Sequence, residues 1–339
     1  NWRFFASASI HGSPALADDY VVFGDMKGRV YCINASTGEE KWVYVTNGAI
    51  HTSPVIRDGF VYIGSDDGNI MILRLDDGVC IWQYPLGAAI YAKPCIEENV
   101  LIVGTADGML YCFDLPAYTL RWGSEVGGAI WGSPCINNGK VYACSDDFYI
   151  LILNLETGEV EQRFYVGGCV RTNLYFLDSM LMFGSCNGAV YALDGSLSLL
   201  WCTPLGSFID STPAHHGDEL YVCTWDAALY VLGTDGSIKE KIMLSGHLWS
   251  SPCVRYPYLY VGSSDGFLYA VNLQNRSVAW RYFTGHELTS DIAWGHGALA
   301  FSTLLGGVYL MDASNGCIIW NNEYAAGHDV VIAGAYVYV

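Results

Sequence analysis

The stretch Ser53-Pro54-Val55-Ile56-Arg57-Asp58-Gly59-Phe60-Val61-Tyr62-Ile63-Gly64-Ser65-Asp66-Asp67-Gly68-Asn69-Ile70-Met71-Ile72-Leu73 decides the fold. Ser53-Pro54 marks a first strand near residues 51–56. Residues 60–64 alternate aromatic and small side chains as a second strand. Asp66-Asp67-Gly68 supplies a hairpin turn, because Gly adopts positive φ freely and Asp or Asn tolerates it next best. A third strand over 69–75 ends at Asp76-Asp77-Gly78, and a fourth over 80–84 carries Trp82. No segment of the chain sustains a 3.6-residue period, so helix content is predicted to be low.

The same unit returns along the whole chain. Trp2, Trp42, Trp82, Trp122, Trp201, Trp280 and Trp320 recur at steps of 39 or 40 residues once Gln162 and Glu240 fill the two gaps. A second series keeps the same steps: Gly24, Gly64, Gly104, Cys144, Gly184, Cys223, Gly262 and Ser302. Four antiparallel strands per unit, repeated about eight times, predict an all-β chain: a β-propeller of four-stranded blades. A blade cannot bury both faces alone, so the periodic Trp is expected to pack between neighbouring blades. Trp2 sits on a spare fourth strand before the first full repeat, and residues 330–339 read as a first and second strand after the eighth. Eight blades with extra terminal strands is the favoured reading, and a ninth, incomplete blade the alternative. Residues 1–339 are expected to form a single propeller domain belonging to a longer protein.

Ser53-Pro54, Val61-Tyr62-Ile63-Gly64-Ser65-Asp66-Asp67-Gly68, Gly78 and Trp82 together resemble the quinoprotein, or PQQ-type, repeat. Ser251-Pro252 with Tyr260-Val261-Gly262-Ser263-Ser264-Asp265-Gly266-Phe267-Leu268-Tyr269-Ala270 resembles it again. The family includes dehydrogenases that bind pyrroloquinoline quinone (PQQ) and calcium, an outer-membrane assembly scaffold, sensor domains, and appendages of adenylating enzymes. Fold alone does not choose among these. The dehydrogenases carry an adjacent Cys-Cys pair over the cofactor and long inter-blade insertions. This sequence has no Cys-Cys pair, and its full repeats never leave the 39–40 spacing. The resemblance therefore implies one of the non-enzymatic members. No cofactor is expected, and PQQ with calcium is the alternative.

Composition narrows the function classes. The 339 residues carry 16 Lys and Arg against 34 Asp and Glu, a net charge of −18, with 52% apolar and 14% aromatic residues. That excludes a disordered chain. It also argues against nucleic acid and anionic membrane surfaces, which need clustered basic residues. No apolar run is long enough for a membrane-spanning helix. The twelve cysteines alternate with small apolar residues at equivalent repeat positions: Cys95, Cys135 and Cys253 stand where other repeats have Val55 and Ala214. They read as free, core-filling thiols. With no signal peptide at Asn1-Trp2-Arg3, this points to a reducing, cytoplasmic setting.

A repeat protein shows function where equivalent positions diverge. Nine residues beyond each Trp marker, at the start of the innermost strand, stand His11, His51, Tyr91, Trp131, Arg171, Asp210, Trp249 and Thr289. The neighbouring frame stays Ser, Thr or Gly followed by Pro, broken only by Lys93, Asn173 and Asp291. By the family resemblance this ring lines one mouth of a central channel. Aromatic anchors with a few polar groups suit a ligand or peptide site, and an Arg among aromatics could hold a carboxylate. The alternative is a plug in which Arg171 and Asp210 pair through water. His215-His216 and His296 read as loop residues, and no metal site is expected. No G-x-S-x-G nucleophile elbow is present. The expected function is a protein- or peptide-binding scaffold or sensor, whose partner is a protein, a peptide or another domain of the parent chain. The alternative is a small-molecule-binding or catalytic propeller using the same ring, which would leave a metabolite as partner.

Overall fold

The structure, a computed structural model, describes residues 6–8, 15–17, 20–34, 39–97, 99–288, 292–295, 298–303, 307–322, 331–333 and 336–338. Every regular element among them is a strand. Eight four-stranded antiparallel sheets follow one another along the chain. Blades one to eight span 15–45, 55–85, 95–125, 135–165, 175–204, 214–243, 253–283 and 293–322. Within each blade the strands pair in chain order. A two-stranded pair, Val331–Ala333 with Tyr336–Tyr338, follows the eighth. The sheets thus match the favoured eight-blade reading with extra strands at the C-terminal end. The strand expected around Trp2 lies outside the described residues. Among the described residues no helix is long and apolar enough to cross a membrane.

In blade two the strands run Val55–Arg57, Phe60–Gly64, Asn69–Arg74 and Cys80–Pro85. The first is shorter than expected from the sequence. Pro54 has no N–H to donate and restricts Ser53 as well, so pairing begins only after it. The Asp-Gly turns behave as their chemistry demands: Gly68, Gly108, Gly188 and Gly266 all have φ between 80° and 84°.

The chain divides into two compact units: Asn1–Tyr175 with Gly195–Leu197, and Phe176–Asp194 with Ser198–Val339. Within each unit the core lies between successive blades. In the first, Ile102, Leu110 and Cys112 of blade three share a buried cluster with Val141, Leu151 and Leu153 of blade four. In the second, Tyr221, Leu229 and Val231 of blade six do so with Leu259, Tyr269 and Val271 of blade seven.

The periodic tryptophan ties one blade to the next. Trp42 Nε1 donates to Leu75 O at 2.7 Å, Trp122 Nε1 to Leu155 O at 2.9 Å and Trp201 Nε1 to Thr234 O at 3.0 Å. Each acceptor lies 33 residues on, in the following blade. Each ring lies against a turn glycine of that blade, Gly78, Gly158 or Gly236. Where Gln162 replaces the Trp, the Tyr142 hydroxyl donates to the equivalent carbonyl, Gly195 O, at 2.8 Å. In blade seven the Tyr260 hydroxyl takes that acceptor, Ala313 O, at 2.9 Å, and the buried Trp280 Nε1 has no partner among the described residues. A β-bulge follows the residue paired with the marker in every blade, as at Cys112/Phe113 opposite Trp122. The bulge is present also where Gln162 and Glu240 stand at the marker, so it belongs to the blade and not to the ring.

The cysteine reading is corrected in part. Ten cysteines are free, and burial pushes the thiols of Cys32, Cys112, Cys135 and Cys144 up to about 12, as expected of inert core fillers. Cys169 and Cys186, however, are disulfide-bonded. Neither occupies a core strand position: their equivalents in blade two are Ala89, in the loop before the first strand of blade three, and Asp66. A residue's small size therefore did not make these two fillers.

Candidate functional site

Four of the divergent positions come together in the first unit. Each precedes the first strand of its blade, so the blade spacing sets their separation. The His51 ring meets Tyr91 edge-on at 5.4 Å and 86°. Tyr91 stacks on Trp131 at 4.5 Å and 12°. The Arg171 guanidinium lies 5.9 Å from the Trp131 ring. The result is a continuous ladder of four flat groups. Pairs of this kind contribute about 0.5–1.5 kcal/mol each beyond the area they bury.

Carboxylates hold the ladder from beneath. His51 Nε2 lies 3.2 Å from Asp66 Oδ2. Trp131 Nε1 donates to Asp146 Oδ2 at 2.9 Å, and Arg171 Nε and Nη2 reach the same carboxylate at 3.4 Å. Arg171 therefore pairs directly with Asp146. The ladder stays open to solvent: Trp131 is 43% exposed and the Arg171 side chain 49%.

Burial pushes the Asp66 carboxyl above its ordinary value of 3.8, against the attraction of His51. Asp66 Oδ1 is buried without a hydrogen-bond partner among the described residues. The folded state thus holds the Asp66 proton more tightly than the unfolded chain does. Stability contributed at this site falls as pH rises through the folded pKa. Asp66→Asn is expected to raise the melting temperature at neutral pH, with the gain vanishing below 3.8, where both states are protonated. A lower melting temperature for the variant at neutral pH would contradict this.

In the second unit one divergent position, Trp249, sits in another aromatic group. Trp249 lies parallel to His247 at 6.0 Å and 8°, and Trp225 lies 5.5 Å from His247 and 5.2 Å from Phe208. His247 Nδ1 contacts Trp225 O. The buried Nε1 atoms of Trp225 and Trp249 have no partner among the described residues. Asp210 Oδ1 lies 3.4 Å from Cys186 Sγ. His11, Thr289, Asp291, His296 and His328 lie outside the described residues.

Sequence reasoning missed the supporting row. Asp66, Asp146 and Trp225 each stand two residues beyond the Gly or Cys marker, in a series that also holds Ala106, Cys186 and Ser264. The position before it is a buried hydroxyl residue in blades two to seven, Ser65, Thr105, Ser145, Ser185, Thr224 and Ser263, and the buried Asp25 in blade one. A divergent position beside one held to small buried polar residues was the available signal. His215 and His216, read as loop residues, lie on the strand Ala214–His216. Among the described residues no three His, Cys, Asp or Glu side chains converge as a metal ion would require.

Comparison with known proteins places the chain. The family described as the beta-propeller of the beta-alanine-activating enzyme matches residues 1–255. The chain belongs to that family. The outer membrane protein assembly factor BamB family matches residues 186–339, so both halves of this family member carry PQQ-like propeller repeats. Among solved structures, BamB from Moraxella catarrhalis is similar at 22% identity and a TM-score of 0.67, over 79% of this chain and 87% of that one. The computationally designed protein Ika8 gives 16% identity and a TM-score of 0.71, over 90% and 96%. A europium-containing methanol dehydrogenase gives 14% and 0.72, over 91% and 83%. At such identities the likeness shows the fold, a PQQ-type β-propeller. A search of curated protein sequences gives no match.

Proposed function

We propose that this PQQ-like propeller is a non-enzymatic binding module that docks a protein or peptide segment across the His51–Tyr91–Trp131–Arg171 ladder. The observation that carries this reading is an indole held by three contacts yet 43% exposed. Rigid, exposed aromatic and Arg side chains lose little entropy on binding and dominate protein interfaces. The two matching families are in keeping with such a role: one is an outer membrane protein assembly factor, the other a propeller belonging to an activating enzyme. By analogy, the partner here is another protein or another domain of the parent chain.

The ladder does not fit a quinone with calcium. Tyr91 already covers one face of Trp131, and Arg171 flanks it. Calcium takes six to eight oxygen ligands. Asp66 and Asp146 are each engaged, by His51 and by Trp131 with Arg171. The two carboxylates support the rings, which leaves them no role as an acid–base pair.

Peptide display against the immobilised chain tests the proposal. Enriched peptides should be lost on counter-selection with Trp131→Ala and with Arg171→Ala. Enrichment that survives both substitutions, or no enrichment at all, would overturn it.

A further inference from the structure

A second site lies in the other unit and is independent of the ladder. A cavity of about 360 Å3 opens between the first strands of blades six and seven, Ala214–His216 and Cys253–Arg255. Pro252, Val254 and the buried Ile292 give it apolar walls, and His215, Ser251 and Arg255 give it polar edges. Arg255 Nη1 donates to Val254 O at 2.9 Å, and its guanidinium lies 5.1 Å over the Trp294 ring. One of its five N–H donors is thereby used.

Arg255 also has no carboxylate partner among the described residues. Arg57, Arg74, Arg121, Arg171 and Arg276 each have one. Arg29, Arg163 and Arg281 likewise have none among the described residues, but none of those three lines this cavity. Arg255 lines a partly apolar cavity, and a guanidinium matches a planar anion bidentately.

We infer that this cavity binds a small organic monocarboxylate, with the carboxylate on the Arg255 fork and the apolar body against Val254 and Ile292. The volume sits at the small end of ligand sites, which suits a compact acid. One guanidinium balances one negative charge. A dianion such as phosphate would bring a second charge against apolar walls, inside a chain of net charge −18.

Calorimetric titration of the full chain with benzoate, benzamide and inorganic phosphate tests this. Benzoate should bind, and the uncharged benzamide should bind at least about tenfold more weakly. Arg255→Met should weaken benzoate binding by about 10- to 100-fold. Arg255→Lys should not restore it, because the ammonium lacks the planar fork. The side chain is exposed, so both variants should keep the wild-type melting temperature. Benzoate and benzamide binding alike, benzoate binding retained by Arg255→Met, phosphate binding more tightly than benzoate, or no benzoate heat at about 10 mM would each overturn the assignment. The result is read apart from peptide docking, since none of the ladder residues lines the cavity.

Discussion

Trp122→Ala is expected to lower the free energy of unfolding by about 3–5 kcal/mol, read as a shift in the urea midpoint. Trp122 is 8% exposed and belongs to the buried cluster that spans blades three and four. Its removal leaves a cavity, and Leu155 O loses its indole donor. The site cannot collapse to fill the space, because Gly158 approaches the ring so closely that a Cβ there would lie 2.5 Å from it. The neighbouring blade supplies the contrast. It has Gln162 at the marker, and the Tyr142 hydroxyl from within the core supplies the missing donor. Gln162→Ala should therefore cost well under 1 kcal/mol, as an exposed substitution does. Equal losses for the two substitutions would mean that the ring does not tie the blades together.

Gly104→Val is expected to cost about 2–3 kcal/mol, again by urea unfolding. The marker glycine lies on the second strand of blade three, and a Cβ there would meet Ile130 Cγ2 at 2.6 Å and Ile130 Cβ at 3.0 Å. Ile130 Cβ is anchored to its own backbone, so relief requires the strand or the loop to move. Blade four has another solution to the same packing. Its marker is Cys144, and Val170 takes the place of Ile130. Combining Gly104→Cys with Ile130→Val should accordingly recover most of what Gly104→Cys alone loses. No recovery in the double variant would show that volume at this contact is not what selects glycine.

Much of the fold was legible because the two marker series report packing directly. The Trp and the Gly recur together since each meets the neighbouring blade at one fixed place, so the period of the blades is written in both. The turns were legible for a local reason, the positive φ at positions such as Gly68. The bulge beside each Trp was not, because the one extra residue it adds to a short fourth strand is of no fixed type. The ladder was half legible. Divergence at His51, Tyr91, Trp131 and Arg171 could be read, and their contact follows from equal blade spacing. Asp66 and Asp146 were hidden within the Asp-Gly turn signal, where acidic residues already have a reason to be. The disulfide-bonded state of Cys169 and Cys186 was masked by the other ten cysteines, whose core positions suggested one role for all.

The central claim is that the exposed ladder is the docking surface. The most direct measurement is calorimetric titration of the tightest display-selected peptide into the wild-type chain and into Trp131→Ala. The substitution should weaken binding by about 30-fold, close to 2 kcal/mol, as loss of a central aromatic anchor does. The melting temperature should fall only modestly, since Trp131 is 43% exposed and loses one ring stack and one indole hydrogen bond. Equal affinity for the two chains would contradict the account and move the docking surface elsewhere on the propeller.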